Sequence, residues 1–179
     1  MITPEWEQRL AEAWASLDGS PEDEFLGRIE RLVAELPPGD PAGLFERACS
    51  LDSTGHSDLA VPLYERALRA GLTGIRRRRA VIQMASSLRN LGDSPRSVRL
   101  LTEELAAPSD ELDDAVKTVL ALALTDVGRE REAVSIAIGA LAAHLPRYQR
   151  SMAAYARLLV EPRQDRREVV GPAPEAPQA

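Results

Sequence analysis

The stretch AVIQMASSLRNLGDSPRSVRLLTEEL, residues 80–105, decides the fold. Its apolar residues recur at helical spacing on both sides of Gly92, which predicts a helix, a tight turn and a second helix. The surrounding chain is rich in Ala and Leu, and aromatic residues make up only 4% of it. This composition favours helix and offers little for strands, so we expect an all-α fold.

A repeat extends this hairpin in both directions along the chain. Gly92 is flanked by Gly55 and Gly128, at separations of 37 and 36 residues. A small residue lies seven positions before each glycine, a leucine four before, and another small residue five after. These residues are Ala48, Ala85 and Ala121, then Leu51, Leu88 and Leu124, then Ala60, Ser97 and Ala133. Small residues let paired helices approach closely, so the repeat predicts three successive antiparallel helical hairpins.

With these positions the chain resembles the tetratricopeptide repeat family, whose copies carry a small residue, a turn glycine, an alanine and then an aromatic residue. The copy LDSTGHSDLAVPLYERAL, residues 51–68, is the most similar, and the middle copy also resembles a bacterial subgroup of unassigned role. The resemblance covers about residues 41–145. It implies a right-handed superhelical array of antiparallel hairpins, with about nine helices in all.

The repeat spacing also predicts how the chain is divided. Residues 40–145 hold the three copies, at about 41–74, 75–110 and 111–145, and residues 1–39 form an N-terminal helix pair that is either a degenerate copy or a cap. Residues 146–160 should form a helix that covers the apolar flank of the last copy. The face expected to do so carries Tyr148, Met152, Tyr155, Ala156 and Leu159. Residues 161–179 are rich in Pro and charge, which predicts a disordered tail.

Local signals set the expected limits of individual helices. Thr3 and Ser20 each precede a proline, which pairs a capping hydroxyl with proline at the first helical position. The two N-terminal helices are expected to run from these caps to about Leu17 and Leu36. Pro62 falls inside the second helix of the first copy, and proline has no backbone N–H to donate. We therefore expect that helix to start late or to bend at Pro62.

Charge is distributed in bands. Residues 1–53 carry 4 Lys and Arg against 12 Asp and Glu, residues 54–100 carry 9 against 3, and residues 101–145 carry 3 against 9. The basic band includes the run Arg76 to Arg79, which opens the first helix of the middle copy. Two interpretations remain open: the arginines cover apolar surface and pair with acids of the neighbouring copies, or they form a binding patch for an anionic ligand.

The sequence contains no recognisable catalytic or metal-binding arrangement, so we expect a non-catalytic protein without cofactor or metal. His56 and His144 are far apart, and neither is at ligand spacing from Cys49. Acid clusters such as Glu103-Glu104 and Asp113-Asp114 are expected to be solvated helix ends. A single cysteine and the lack of a targeting or membrane-spanning segment predict a cytoplasmic protein. The net charge of −6 disfavours a nucleic-acid partner.

The resemblance also implies a site, because the first helices of tetratricopeptide hairpins line a groove that holds peptides. The groove positions, mapped through the turn glycines, are Phe45, Cys49 and Asp52, then Arg79, Ile82, Ser86, Arg89 and Asn90, then Thr118, Leu122, Thr125 and Asp126. The chaperone-binding members hold a terminal carboxylate with a Lys and Asn set that is missing here. We expect a protein-interaction module whose basic groove binds an acidic or carboxylate-bearing segment of another protein. The alternative is a structural module that forms a homodimer through its array ends.

Overall fold

The computed structural model describes residues 2–161, and most of the predicted tail, 161–179, lies outside them. The described residues form nine α-helices and one short 3-10 turn, and they contain no strand. The fold is therefore all-α, as the composition predicts. The helices are α1 (Pro4–Ala15), α2 (Glu22–Val33), α3 (Pro41–Ser53), α4 (Ser57–Arg69), α5 (Gly74–Asn90), α6 (Ser94–Leu105), α7 (Asp113–Asp126), α8 (Glu130–Ala142) and α9 (Gln149–Leu158).

Each predicted turn glycine ends the first helix of a hairpin in the same way. Gly55, Gly92 and Gly128 have φ angles of 90°, 87° and 75°, in the left-handed region that glycine adopts without steric cost. In each copy the N–H of the residue after the glycine donates to the carbonyl of the repeat leucine, over 2.8 to 2.9 Å. This bond closes the end of the helix and lets the chain reverse.

The repeat residues form the contacts between paired helices. Ala48 and Ala85 of the first helices are fully buried, and so are Ala60 and Ser97 of the second helices. Side chains of this size allow α3 to pack closely on α4, and α5 on α6. Beyond these pairs, α5 also contacts α3 and α7, so the first helices of the three hairpins lie side by side.

The N-terminal pair forms its own core and is attached to the first hairpin. Trp6 of α1 is buried and donates its indole N–H to the carbonyl of Leu32, 2.9 Å away. Trp14 packs edge-on against Phe25, with ring centroids 5.3 Å apart. Ile2 and Trp14 also contact the core of the first hairpin, so the two apolar clusters are joined through α1.

The N-terminal helices are shorter than expected. The hydroxyl of Thr3 accepts a hydrogen bond from the N–H of Trp6, as predicted for a cap. Ser20 does not cap α2, because that helix begins one residue later with Pro21 at its cap position. Both helices stop two or three residues before Leu17 and Leu36. In each case a turn replaces the last expected residues.

Two further expectations differ from the structure. The helix α4 starts at Ser57 and continues through Pro62, so it does not start late. The terminal helix α9 packs on α8, but only Ala156 of its predicted covering face is buried, whereas Tyr148 and Tyr155 are exposed. Among residues 2–161, none of the helices has the length and hydropathy needed to cross a membrane.

Candidate functional site

The arginine run at the start of α5 connects several elements. Arg76 donates to Glu7 of α1 over 2.7 Å and to Glu46 of α3 over 3.0 Å. The hydrogen bonds that Arg76 donates to Glu7, followed by the one that it donates to Glu46, raise the pKa of Arg76 further above its ordinary value. Glu46 is 1% exposed and also accepts the indole N–H of Trp14. The buried carboxylate of Glu46, which accepts from Trp14 and Arg76, therefore joins α1, α3 and α5.

The next two arginines bind acids on the other side of α5. Arg77 donates to Glu104 of α6, over 2.7 Å. Arg78 is buried and contacts Asp113 at the start of α7 over 2.6 Å and Asp110 in the preceding loop over 3.1 Å. Glu104 is itself buried, so the expectation that this acid is a solvated helix end is wrong. A hydrogen bond from the Ser109 hydroxyl, assisted by the positive charge of Arg78, lowers the pKa of Asp113.

Arg79 differs from the other three arginines. It is exposed, and it makes no ion pair with any acid among residues 2–161. Its guanidinium lies over the ring of Phe45, 5.2 Å from the centroid, which is the geometry of a cation–π contact. The contact holds Arg79 across the boundary between α3 and α5 and leaves its donors available to a ligand.

The groove positions of the first copy lie in the core. Phe45 and Cys49 are fully buried, so neither reaches a partner in this structure. The Cys49 thiol donates to the side-chain carbonyl of Gln83 on α5, over 3.2 Å. Burial, together with the negative charge of Glu46, raises the pKa of the Cys49 thiol to about 12. The physical reason for the difference is that Arg79 and Gln83 reach back from α5 and cover these positions on α3.

The middle copy keeps a polar face between α5 and α7. Arg89 is partly buried and pairs with Asp126 of α7 over 2.5 Å, so its charge is already matched. Ile82 is buried, Ser86 is half-buried and Asn90 is exposed. Ser86 and Asn90 therefore lie on an α5 surface that the Arg89–Asp126 pair connects to α7.

The third copy contributes an apolar side chain to the same face. Leu122 of α7 is 48% exposed, whereas its neighbours Leu120 and Leu124 are each 2% exposed. Thr118 and Thr125 flank it and are exposed, and their hydroxyls donate to carbonyls of their own helix, those of Asp114 and Ala121. We call the six accessible residues of α5 and α7 the groove face: Arg79, Ser86, Asn90, Thr118, Leu122 and Thr125.

Sequence reasoning missed the acids that hold α5. Glu46, Asp52 and Glu104 are polar residues at positions where the repeat pattern carries no information about partners. Asp52 accepts the Ser87 hydroxyl over 2.6 Å, across α3 and α5. The one available signal was the alternation of acidic and basic bands, which indicates attraction between copies but not which residues pair.

The remaining chemistry-bearing residues are engaged in structural contacts. His56 contacts Glu22 over 2.6 Å, and His144 contacts Asp114 over 2.8 Å. Within residues 2–161, no group of three or more His, Cys, Asp or Glu side chains is arranged to hold a metal ion. The groove face therefore offers one cationic, one apolar and several uncharged polar groups.

Comparisons with known proteins agree with this architecture. Residues 41–159 match the family model of the tetratrico peptide repeat. No curated protein matches the chain in sequence. Two solved structures from Podosopora anserina, of a protein assigned as a kinesin light chain with nearly identical TPR-like repeats, are similar in fold.

The two structures share little sequence with this chain. The first, a single-substitution variant, has a TM-score of 0.67 at 20% identity and covers 89% of this chain and 88% of that chain. The second has a TM-score of 0.66 at 19% identity, with 89% of each chain covered. At this identity the likeness shows the fold alone.

The family match extends over more than half of the chain and includes all three hairpins. Tetratricopeptide repeats generally mediate protein–protein interaction and are generally non-catalytic scaffolds. The helical hairpins, the shared turn geometry and the family match lead to one conclusion. The chain belongs to the tetratricopeptide repeat family.

Proposed function

We propose that the protein is a non-catalytic, cytoplasmic adaptor whose groove face binds a carboxylate-bearing segment of another protein. The observation that carries the proposal is the state of Arg79. Its three neighbours in the run are committed to acids of other helices, whereas Arg79 is exposed, lies over Phe45 and makes no ion pair within residues 2–161. A guanidinium presents several donors in a planar fork that suits a carboxylate.

The rest of the groove face restricts the kind of segment that fits. Leu122 offers an apolar anchor on α7, and Asn90 offers an amide that both donates and accepts hydrogen bonds with a peptide backbone. The pair between Arg89 and Asp126 holds these two helices in register. The favoured ligand is an extended peptide with a carboxylate at Arg79 and an apolar side chain at Leu122.

The structure narrows the basic groove that the sequence suggests. Arg79 is the member of the four-arginine run that has no acidic partner within residues 2–161, and Arg89 is matched by Asp126, so the proposed site has one cation on α5 and one apolar anchor on α7. Nucleic acid suits this surface poorly, because binding a phosphate backbone needs several cations in a row and the chain carries a net charge of −6.

The test is a quantitative pull-down from host lysate with the full chain, the variant Arg79→Glu and the control Arg99→Glu. Arg99 is an exposed arginine of α6 outside the groove face, so the two variants change net charge equally. We expect the same partners with wild type and Arg99→Glu, and at least a tenfold lower recovery with Arg79→Glu. Equal recovery by both variants would contradict the proposal. Leu122→Asp should reduce recovery of the same partners.

A further inference from the structure

The helix α9 lies where the repeat spacing places the first helix of a further hairpin, and no second helix follows it among residues 2–161. Its buried Ala156 lies 35 residues after Ala121, which continues the spacing of the repeat alanines. The family match also continues through this helix, to residue 159. In the earlier hairpins a second helix follows and covers the first. No segment among residues 2–161 covers α9 on the side away from α8.

The exposed residues of α9 occupy positions that are buried elsewhere in the array. Tyr155 is 60% exposed, whereas Leu120, at the equivalent place in α7, is 2% exposed. Leu158 is 59% exposed, whereas the equivalent Ala123 of α7 is fully buried. The uncovered face of α9 is therefore the one that this fold uses for helix packing, and it carries larger side chains than α7 does there.

Four residues of this face have the spacing of a two-helix seam. Tyr148, Ser151, Tyr155 and Leu158 follow one another at intervals of three, four and three residues, which keeps them on one stripe of a helix. An open cavity of about 650 Å³ lies along the first half of the stripe, and its lining includes Tyr148, Ser151 and Tyr155 as well as Arg147 and Arg150. The stripe thus has a recess at one end and a protruding leucine at the other.

Tyr148 has the one positive φ angle found for a residue other than glycine between residues 2 and 161. Its φ and ψ are 68° and 13°, in the left-handed region, and its side chain is 74% exposed. A bulky residue is strained in this conformation, and such strain is concentrated at functional surfaces. The conformation places a large aromatic ring beside the recess with no cover from residues 2–161.

We propose that the exposed face of α9 is a self-association surface, on which α9 of a second copy of this chain packs in antiparallel orientation. In that orientation the stripe is complementary to itself: Tyr155 of one copy faces the small Ser151 of the other, and Leu158 fills the recess beside Tyr148. A twofold pairing of this kind closes into a dimer and cannot propagate into a fibre.

The charges along α9 agree with an antiparallel arrangement. Arg147 precedes the helix and Glu161 follows it, so opposite ends of the two copies bring these charges together. The helix dipoles also oppose each other favourably. Arg157 lies more than about 100° around the helix from the stripe, so it stays outside the seam, whereas Arg150 lines the recess, where its apolar stem can pack against the entering leucine. The groove face contains no residue of α9, so the dimer leaves it free for a ligand.

The test is sedimentation velocity of the full chain across a roughly hundredfold range of concentration, with circular dichroism to confirm that each variant is folded. We expect a species of twice the 19.5 kDa chain mass for wild type. The dissociation constant should rise at least tenfold in Leu158→Ser and in Tyr155→Ser. The control Leu59→Ser removes a leucine of similar exposure from α4 and should not change it.

An exchange of residues tests the register of the seam. Ser151→Tyr alone places a tyrosine of one copy against Tyr155 of the other and should weaken the dimer. The double variant Ser151→Tyr with Tyr155→Ser again pairs one large residue with one small one, so it should restore the dimer. A wild-type chain that stays monomeric overturns the proposal and leaves the face to a different partner. A dimer that is insensitive to the α9 variants, or a double variant no stronger than either single one, also overturns it.

Discussion

Two buried serines show that the effect of a hydroxyl on stability depends on whether it has a hydrogen-bond partner. Ser87 and Ser97 are both fully buried, on α5 and α6. The hydroxyl of Ser87 donates to the carboxylate of Asp52 over 2.6 Å. The hydroxyl of Ser97 has no hydrogen-bond partner within residues 2–161, and alanine stands at the equivalent position, Ala60, of the first copy. A buried hydroxyl loses its hydrogen bonds to water, and without a protein partner this loss destabilises the folded state.

We therefore predict that Ser97→Ala raises the free energy of unfolding, by about 1 kcal/mol. The matched change Ser87→Ala should lower it by about 1 to 3 kcal/mol, because it removes a donor from a carboxylate. Urea unfolding followed by circular dichroism measures both. A loss of stability in Ser97→Ala would show that its hydroxyl has a partner that the structure does not reveal.

Cys49 should make the free energy of unfolding fall at alkaline pH. The pKa of its thiol is about 12 in the folded state, against an ordinary value of 9.0. The unfolded chain therefore releases this proton first, so the contribution of Cys49 is fully present below pH 9.0 and is lost as the pH rises towards 12. The slope is at most about 1.4 kcal/mol per pH unit for one group.

The measurement is the free energy of unfolding of wild type and Cys49→Ala between pH 8 and pH 10, with the slopes compared. Cys49→Ala removes the titrating group and should give the smaller decline with pH. The pKa of Tyr64 is also raised, by burial and then by the neighbouring Cys49, so the decline does not vanish at higher pH. Equal slopes for the two proteins would mean that the thiol titrates normally in the folded state.

Two predicted groove residues show that the position of a residue in the repeat does not determine whether it is buried. Phe45 and Cys49 occupy groove positions of the family, yet both are buried, because Arg79 and Gln83 of the next copy fold over them. The reach of a long side chain on a neighbouring helix is a tertiary property. A repeat pattern fixes which helix face a residue lies on, but not whether its neighbours cover that face.

At the scale of elements, one buried carboxylate supports the connection of α1 to the hairpins, beside the direct pair between Glu7 and Arg76. Glu46 of α3 accepts bonds from Trp14 of α1 and from Arg76 of α5. The replacement Glu46→Leu leaves the Trp14 indole N–H without its acceptor and leaves Arg76 paired with Glu7 alone, which should cost about 1 to 3 kcal/mol. Both tryptophans of the chain are in α1, so tryptophan fluorescence reports on this helix.

We predict that in Glu46→Leu the fluorescence transition in urea precedes the loss of helical circular dichroism, because α1 separates first. The double change Glu46→Leu with Arg76→Met should recover part of the lost stability, because it no longer places a guanidinium against an apolar side chain, and the partly exposed Glu7 that Arg76 also binds can be hydrated. The control Glu30→Ala breaks an exposed pair with Arg47 and should cost less than about 1 kcal/mol. Coincident transitions at the wild-type midpoint in Glu46→Leu would contradict the prediction.

The helices themselves were largely predictable, whereas their ends were not. The turn glycines and the buried alanines follow from spacing, because a hairpin needs a residue that tolerates positive φ and small residues at the contact. The start of α4 was misjudged: the helix continues through Pro62, whose side chain is exposed. The helix α9 packs on α8 as expected, but its packing face was misjudged, because the register places Ala156 inward and turns Tyr148 and Tyr155 to the surface.

At the scale of the whole molecule, the charge bands are resolved into specific pairs. The basic middle of the chain is connected to both acidic neighbours: Arg76 binds Glu7 and Glu46 on one side, and Arg78 binds Asp113 on the other. The sequence left open whether the arginines hold the array together or bind a ligand. In the structure the run is divided, because its first three members pair with acids and the fourth does not.

The all-α fold and the family membership, both predicted from the sequence, are confirmed by the helices and the family match. The groove site and the limits of the repeats stay predictions. The identity of a ligand depends on which side chains remain without a partner after the array has formed. The sequence alone does not identify these side chains, because it does not show which residues pair around α5.

The most direct test of this account compares the free energies of unfolding of Arg78→Ala and Arg79→Ala in urea. Arg78 is buried and paired, so its loss should cost about 3 kcal/mol or more. Arg79 contributes one exposed cation–π contact, so its loss should cost about 1 kcal/mol or less. Equal losses, or a larger loss for Arg79→Ala, would contradict the claim that the first three arginines hold the array and the fourth is free to bind a ligand.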